Sequence, residues 1–167
     1  IASGEIFIQA ISHAIENKTP LIFFPCSGGQ KLQEGALALS MMAKTTLGVN
    51  EFKKLNLPFI VCMSNPVAGG VTASWASLGD IIVAEPGCTI SFAGARVIKD
   101  TVREELPSGF QTSEYLLEHG QIDNVIERKY LNTAIGTLLN VLLKKNDAQV
   151  KNETSNVTID KTLQSAS

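Results

Sequence analysis

PCSGGQKLQEG at residues 25–35 and NPVAGGVTASWASLGD at residues 65–80 decide how this chain folds. Each carries a glycine pair, Gly28-Gly29 after an apolar run and Gly69-Gly70 before a stretch rich in Ala and Ser. Glycine has no Cβ to block close approach, and the first N–H groups of a helix have no partner inside it, so both places expose main-chain donors. Two such turns could face one oxyanion. That arrangement suits an enzyme that stabilises an enolate or thioester oxygen with the backbone and needs no side-chain nucleophile.

Working outward, the pattern predicts alternating strands and helices. Ile8, Ile11, Ala14 and Ile15 fall at helical spacing within Glu5 to Glu16, and Asn17-Lys18-Thr19-Pro20 breaks that helix. Leu21 to Phe24 reads as a short strand buried on both faces. Residues 32–55 read as a helix whose apolar stripe is Leu32, Ala36, Leu39, Ala43 and Leu47, followed by a second buried strand, Phe59 to Met63. Asn65-Pro66 and Gly69-Gly70 then lead into a short helix, Val71 to Leu78. Strands at Ile81 to Ala84, Thr89 to Phe92 and Ile122 to Ile126 alternate with helices at Ala95 to Glu104, Ser113 to Glu118 and Tyr130 to Leu143. Such repetition predicts an α/β fold with stacked parallel strands.

Composition narrows the function classes. At 167 residues the chain suits one core-forming domain, 1–145, followed by a polar tail at 146–167 with few large apolar residues. Fourteen Lys+Arg against 16 Asp+Glu, with no basic cluster beyond Lys53-Lys54 and Lys144-Lys145, argue against a nucleic-acid footprint. Cys26, Cys62 and Cys88 sit apart in apolar surroundings and read as reduced core thiols in a reducing compartment; no Cys-x-x-Cys indicates a metal. The chain opens at Ile1 with no secretory signal and no membrane span, so the natural N-terminus is expected to lie upstream. The triplets at Asn152 and Asn156 match glycosylation acceptors but are common by chance.

Side-chain catalysts are poorly represented. Ser27 and Ser74 lie near the glycine pairs, yet neither sits in a Gly-x-Ser-x-Gly elbow. His13 reads as a partly buried structural histidine and His119 as a helix C-terminal residue, which leaves a peptidase triad without a base. Glu34 and Glu85 are the carboxylates available for hydratase-type acid–base chemistry. Glu34 reads better as a helix N-terminal residue and Glu85 as a solvated turn residue. Lys31, Arg96 and Arg103 could meet a phosphate or carboxylate.

Taken together, SGGQKLQEG, AGGVTASWASLGD and AEPGCTISFAGARVIKDTVREELPSGFQTSEYLLEHGQID resemble the carboxyltransferase β subunit of bacterial-type acetyl-CoA carboxylase, over residues 4 to 143. The resemblance implies the crotonase-like (ClpP/crotonase) fold, a spiral of ββα units. It also implies transfer of carboxylate from carboxybiotin to acetyl-CoA, giving malonyl-CoA for fatty-acid synthesis through enolate intermediates. Gly28, Gly29, Gly69 and Gly70 then become the catalytic main-chain positions, and Ser27, Gln30, Lys31, Val71 and Arg96 the substrate-binding ones. The related pattern has Ala-Arg where this chain has Gln30-Lys31 and Pro where it has Ala95, and Lys31 cannot reproduce the bidentate fork of arginine.

The same resemblance implies partners and a compartment. Carboxybiotin would arrive on a separate biotin carboxyl carrier protein, and a carboxyltransferase α subunit of the same fold would complete an α₂β₂ assembly without which this chain is inactive. A zinc ribbon with four cysteine ligands is expected N-terminal to the residues present here. The compartment is cytoplasmic, or a plastid in a photosynthetic eukaryote. Two other readings stay open: another biotin-dependent acyl-CoA carboxyltransferase or decarboxylase subunit, and a non-catalytic module that binds CoA or an α-like partner.

Overall fold

The computed structural model describes residues 1–143, so the tail expected at 146–167 and its boundary lie outside the described residues. The chain divides into two compact units, Ile1–Lys129 and a second from Tyr130 onward whose described part is helical. In chain order the elements are α1 (Ala2–Asn17), β1 (Leu21–Phe23), α2 (Gly35–Lys53), β2 (Phe59–Met63), β3 (Val67–Ala68), β4 (Ile81–Ala84), β5 (Ile90–Ser91), α3 (Ala95–Val102), α4 (Ser113–Glu118), β6 (Asn124–Val125) and α5 (Arg128–Leu142).

Within the first unit, four parallel strands pair in the order β1-β2-β4-β6. A second parallel sheet pairs β3 with β5, and Ser27 forms a parallel bridge to Val67 beside it. The chain therefore repeats one unit three times. Each of β1, β2 and β4 is followed by a short extended step in the second sheet, at Ser27, β3 and β5 respectively. A helix or helical turn then returns the chain: α2, a 3₁₀ turn at Trp75–Ser77, and α3. Parallel strands require such crossovers.

β2 is the centre of the large sheet. All five of its residues are buried, because a parallel strand covered on both faces needs a continuous apolar run, which FIVCM supplies. Fully burying each large side chain stabilises the fold by roughly 1.5–3 kcal/mol. Phe59 meets Phe52 of α2 and Phe7 of α1, while Phe7, Phe23 and Trp75 form an aromatic cluster with ring centroids 4.2–4.9 Å apart. The cluster ties helix α1, strand β1 and the loop after β3 together.

Four expectations need correction. First, the buried face of α2 is Ala38, Thr45, Val49 and Phe52, not the stripe through Ala36, Leu39, Ala43 and Leu47, which is exposed. This helix carries apolar residues on both sides, so helical spacing fits two stripes, and packing against α1 selects one. Second, Val71 to Leu78 is not an α-helix but a series of turns with one 3₁₀ turn at Trp75–Ser77. The hydroxyl of Ser74 donates to Gly70 O at 2.6 Å and that of Ser77 to Thr72 O, side-chain bonds that compete with the helical ladder. Third, Cys26 is exposed, whereas Cys62 and Cys88 are buried. Fourth, His13 is exposed rather than partly buried.

Candidate active site

The parallel repeat brings the two glycine turns into contact. Ser27 N–H donates to Pro66 O at 2.7 Å and Ala68 N–H to Ser27 O at 2.8 Å, a ladder that fixes the register of the two turns. Immediately beyond it the backbones meet: a Cβ placed on Gly69 would lie 3.1 Å from Gly29 Cα. Both residues also adopt positive φ, +114° at Gly29 and +63° at Gly69, so glycine is required there for conformation as well as space.

Main-chain donors divide into used and unused. Gly69 N–H is taken by Ser91 O at 2.9 Å, and Gly29 N–H points to the Ser27 hydroxyl at 3.2 Å. These two glycines therefore build the turns rather than offering free donors, which corrects the simplest reading of the four-glycine set. Among the described residues, the N–H groups of Gly28, Gln30, Gly70 and Val71 have no protein acceptor. The Gly69-Gly70-Val71 donors belong to a turn, not to an α-helix N-terminus as the sequence suggested, so no helix dipole adds to them.

These turns form part of a pocket of about 220 Å³. Ser27, Gly29, Gln30, Lys31, Gly70 and Val71 line it, as do Glu34, Ala38, Met41, Met42, Thr45, Ser74 and Trp75. Six of the nine residues picked out in the sequence are thus assembled in one cavity. Gly28 and Gly69 stand beside it in the same turns without lining it. Arg96 is not brought in: its side chain is 94% exposed and pairs with Asp100 on α3. Met41, Met42, Thr45 and Trp75 went unnoticed in the sequence. The three on α2 share its inward face, which the wrong choice of stripe concealed.

The two candidate carboxylates do not come together at the site. Glu34 lines the pocket, but Glu85 does not. Contrary to the expected solvated turn, Glu85 is only 13% exposed and holds the Arg128 guanidinium through both carboxylate oxygens, one bond measuring 2.9 Å. The hydrogen bond from Arg128, with its charge, keeps the Glu85 carboxyl below its ordinary range against the opposing effect of burial. Ser74 is buried with its hydroxyl committed to Gly70 O, and no histidine lines the pocket. His119 instead caps α4, its Nδ1 on Tyr115 O at 2.7 Å. Among the described residues, the pocket lining brings together neither a serine with a histidine nor Glu34 with Glu85. The lining instead combines residues whose backbone N–H groups are unpaired, Gln30, Gly70 and Val71, with the apolar side chains of Ala38, Met41, Met42 and Trp75.

Repeats of a parallel strand, a short extended step in a second sheet and a returning helix define the crotonase-like class, as the sequence resemblance implied. The chain belongs to the carboxyl transferase domain family, which its residues 2–121 match. It is 55% identical over 156 residues to the acetyl-coenzyme A carboxylase carboxyl transferase subunit beta of Pelagibacter ubique, a match covering 92% of this chain and 50% of that protein. The chain therefore spans about half the length of the curated relatives it matches. Among solved structures, transcarboxylase 12S with methylmalonyl-coenzyme A and methylmalonic acid bound is similar at a TM-score of 0.72 and 25% identity, over 82% of this chain and 27% of that one. An enoyl-CoA hydratase/isomerase family protein from Silicibacter pomeroyi shares the fold at a TM-score of 0.64 and 14% identity, over 88% of this chain and 74% of that one.

Proposed function

We propose that this chain supplies the acyl-CoA half of an acetyl-CoA carboxylase carboxyltransferase site, in the role of the β subunit. The single observation that carries the reading is the set of unpaired N–H groups at Gln30, Gly70 and Val71, all on residues lining one pocket. An acetyl thioester oxygen placed among them would become an enolate oxyanion when the methyl loses its proton. Preorganised donors hold that charge, and losing one typically costs on the order of 10²–10³ in rate. Gly28 and Gly29 position the first turn, Gly69 and Gly70 the second. The Ser27 hydroxyl fixes Gly29, and Lys31, exposed at the pocket, offers a point charge to a CoA phosphate or the malonyl carboxylate. Arg96 has no part in this pocket; a role for it would require a distant portion of CoA.

The donor turns fit one oxyanion, and we assign them to the thioester. Carboxybiotin, delivered by a biotin carboxyl carrier protein, supplies the transferred carboxyl group when bound. Its pocket belongs to a partnering α subunit in an α₂β₂ assembly. Among the described residues no three His, Cys, Asp or Glu side chains converge to hold a metal, so no metal step is derived from them, and zinc belongs in this reading to a ribbon outside the residues present. No helix among the described residues is long and apolar enough to cross a membrane. Three free thiols support a reducing compartment, cytoplasmic or plastid. The test is reconstitution of the full-length protein with its α subunit and carboxylated carrier. Malonyl-CoA should form from acetyl-CoA in the mixture and with neither subunit alone; a folded, associated pair that forms none would defeat the reading.

A further inference from the structure

We infer that the side chain of Gln30 sets the acyl-chain selectivity of the pocket, an assignment that rests on the acyl-CoA reading above. Gln30 does not point into solvent. Its Cδ lies 2.7 Å, and its Cγ and Nε2 3.0 Å, from the position a Cβ on Gly70 would occupy, so the side chain lies directly across the Gly70 turn. From there its amide donates to Ala38 O of α2 at 2.6 Å. The side chain thus reaches from the Gly70 turn to Ala38 of α2, and all three residues line the cavity.

An acyl group whose thioester oxygen is held by the unpaired N–H groups of Gln30 and Gly70 would have its growing end against this span. The same cavity is lined by Met41, Met42 and Trp75, long or broad apolar side chains able to receive additional methylenes. Gln30 therefore occupies cavity space beside the Gly70 turn that a larger acyl group would need. Truncation to alanine removes four heavy atoms from this space. Methionine, of similar length, keeps the volume and loses the hydrogen bond to Ala38. One methylene in an apolar pocket is worth about 10–200-fold in kcat/KM.

The experiment compares malonyl-CoA with methylmalonyl-CoA as carboxyl donors to a soluble biotin analogue, using the full-length protein assembled with its α subunit. Relative to the wild type, Gln30→Ala should raise the methylmalonyl/malonyl ratio of kcat/KM by about tenfold or more, whereas Gln30→Met should stay within about twofold of it. An unchanged ratio in a folded, assembled Gln30→Ala enzyme overturns the assignment. So does an equal rise in both variants, which would make the Ala38 hydrogen bond, rather than bulk, the controlling feature. A wild-type assembly inactive toward both donors rejects the underlying acyl-CoA reading, and this inference with it, whereas an active wild type with an unmoved ratio rejects this inference alone.

Discussion

Gly29 and Gly69 touch through their backbones: a Cβ added to Gly69 would stand 3.1 Å from the Gly29 Cα, at a residue whose φ is +63°. The contact holds the two donor turns side by side. Because the obstructing atom is main chain, it cannot swing away. Gly69→Ala should destabilise the protein by about 1–3 kcal/mol, combining left-handed backbone cost with the forced separation. Urea unfolding of wild type and variant measures this; an unchanged midpoint would contradict the contact.

Gly70 should behave differently. Its φ is not in the left-handed region, and the three atoms nearest an added Cβ all belong to the Gln30 side chain, the closest at 2.7 Å. Gln30 can rotate, so Gly70→Ala should cost less than about 1 kcal/mol of stability. The displaced side chain and altered donor alignment should nevertheless lower kcat, by at most the 10²–10³ or so that loss of a whole donor costs. Steady-state kinetics of the assembled enzyme, beside a thermal melt, separates the two effects. Full activity in a well-folded variant would remove Gly70 from the site.

The three thiols should react in two classes. Cys26 is exposed, while burial pushes Cys62 and Cys88 up to about 11. Since the thiolate is the reactive form, alkylation near pH 8 should label Cys26 alone in the folded chain. Peptide mass mapping after brief iodoacetamide treatment should find the other two modified only after denaturation, and Cys26→Ser should abolish the native-state label.

Glu85 and Arg128 give a pH signature. A carboxyl whose folded pKa lies below its ordinary value contributes stability at pH above the ordinary carboxylate range and loses it as pH falls through the folded value. Glu85→Gln should therefore melt below the wild type at pH 7, with the gap closing as the pH is lowered through the acid range. Melts at constant ionic strength test this. A gap that widens on acidification would place the charge interaction elsewhere.

Much of this architecture was legible because the buried strands announce themselves. Phe59–Met63 and Ile81–Ala84 are continuous apolar runs bounded by breakers, and both appear with the bounds read from the sequence. The two-residue strand Val67–Ala68 was missed, since nothing so short has a period. The α2 stripe was misread because both faces are apolar, so tertiary packing rather than pattern decided its orientation. At the site, the glycine pairs identified the turns correctly, but only the hydrogen bonds could reveal that Ser91 and Ser27 already occupy two of the donors. Arg96 was picked as a cation able to meet a phosphate or carboxylate, and residue type alone could not show that its side chain stands exposed on α3, outside the pocket lining.

The most direct test of the central claim is malonyl-CoA-dependent carboxylation of a soluble biotin analogue by the full-length protein co-expressed with its α subunit, each subunit alone serving as control. The account predicts activity confined to the pair and lowered by Gly70→Ala, by at most the 10²–10³ or so that loss of a whole donor costs. A folded, associated pair that carboxylates nothing, or one that Gly70→Ala leaves at full rate, would contradict a main-chain oxyanion site built from these two turns.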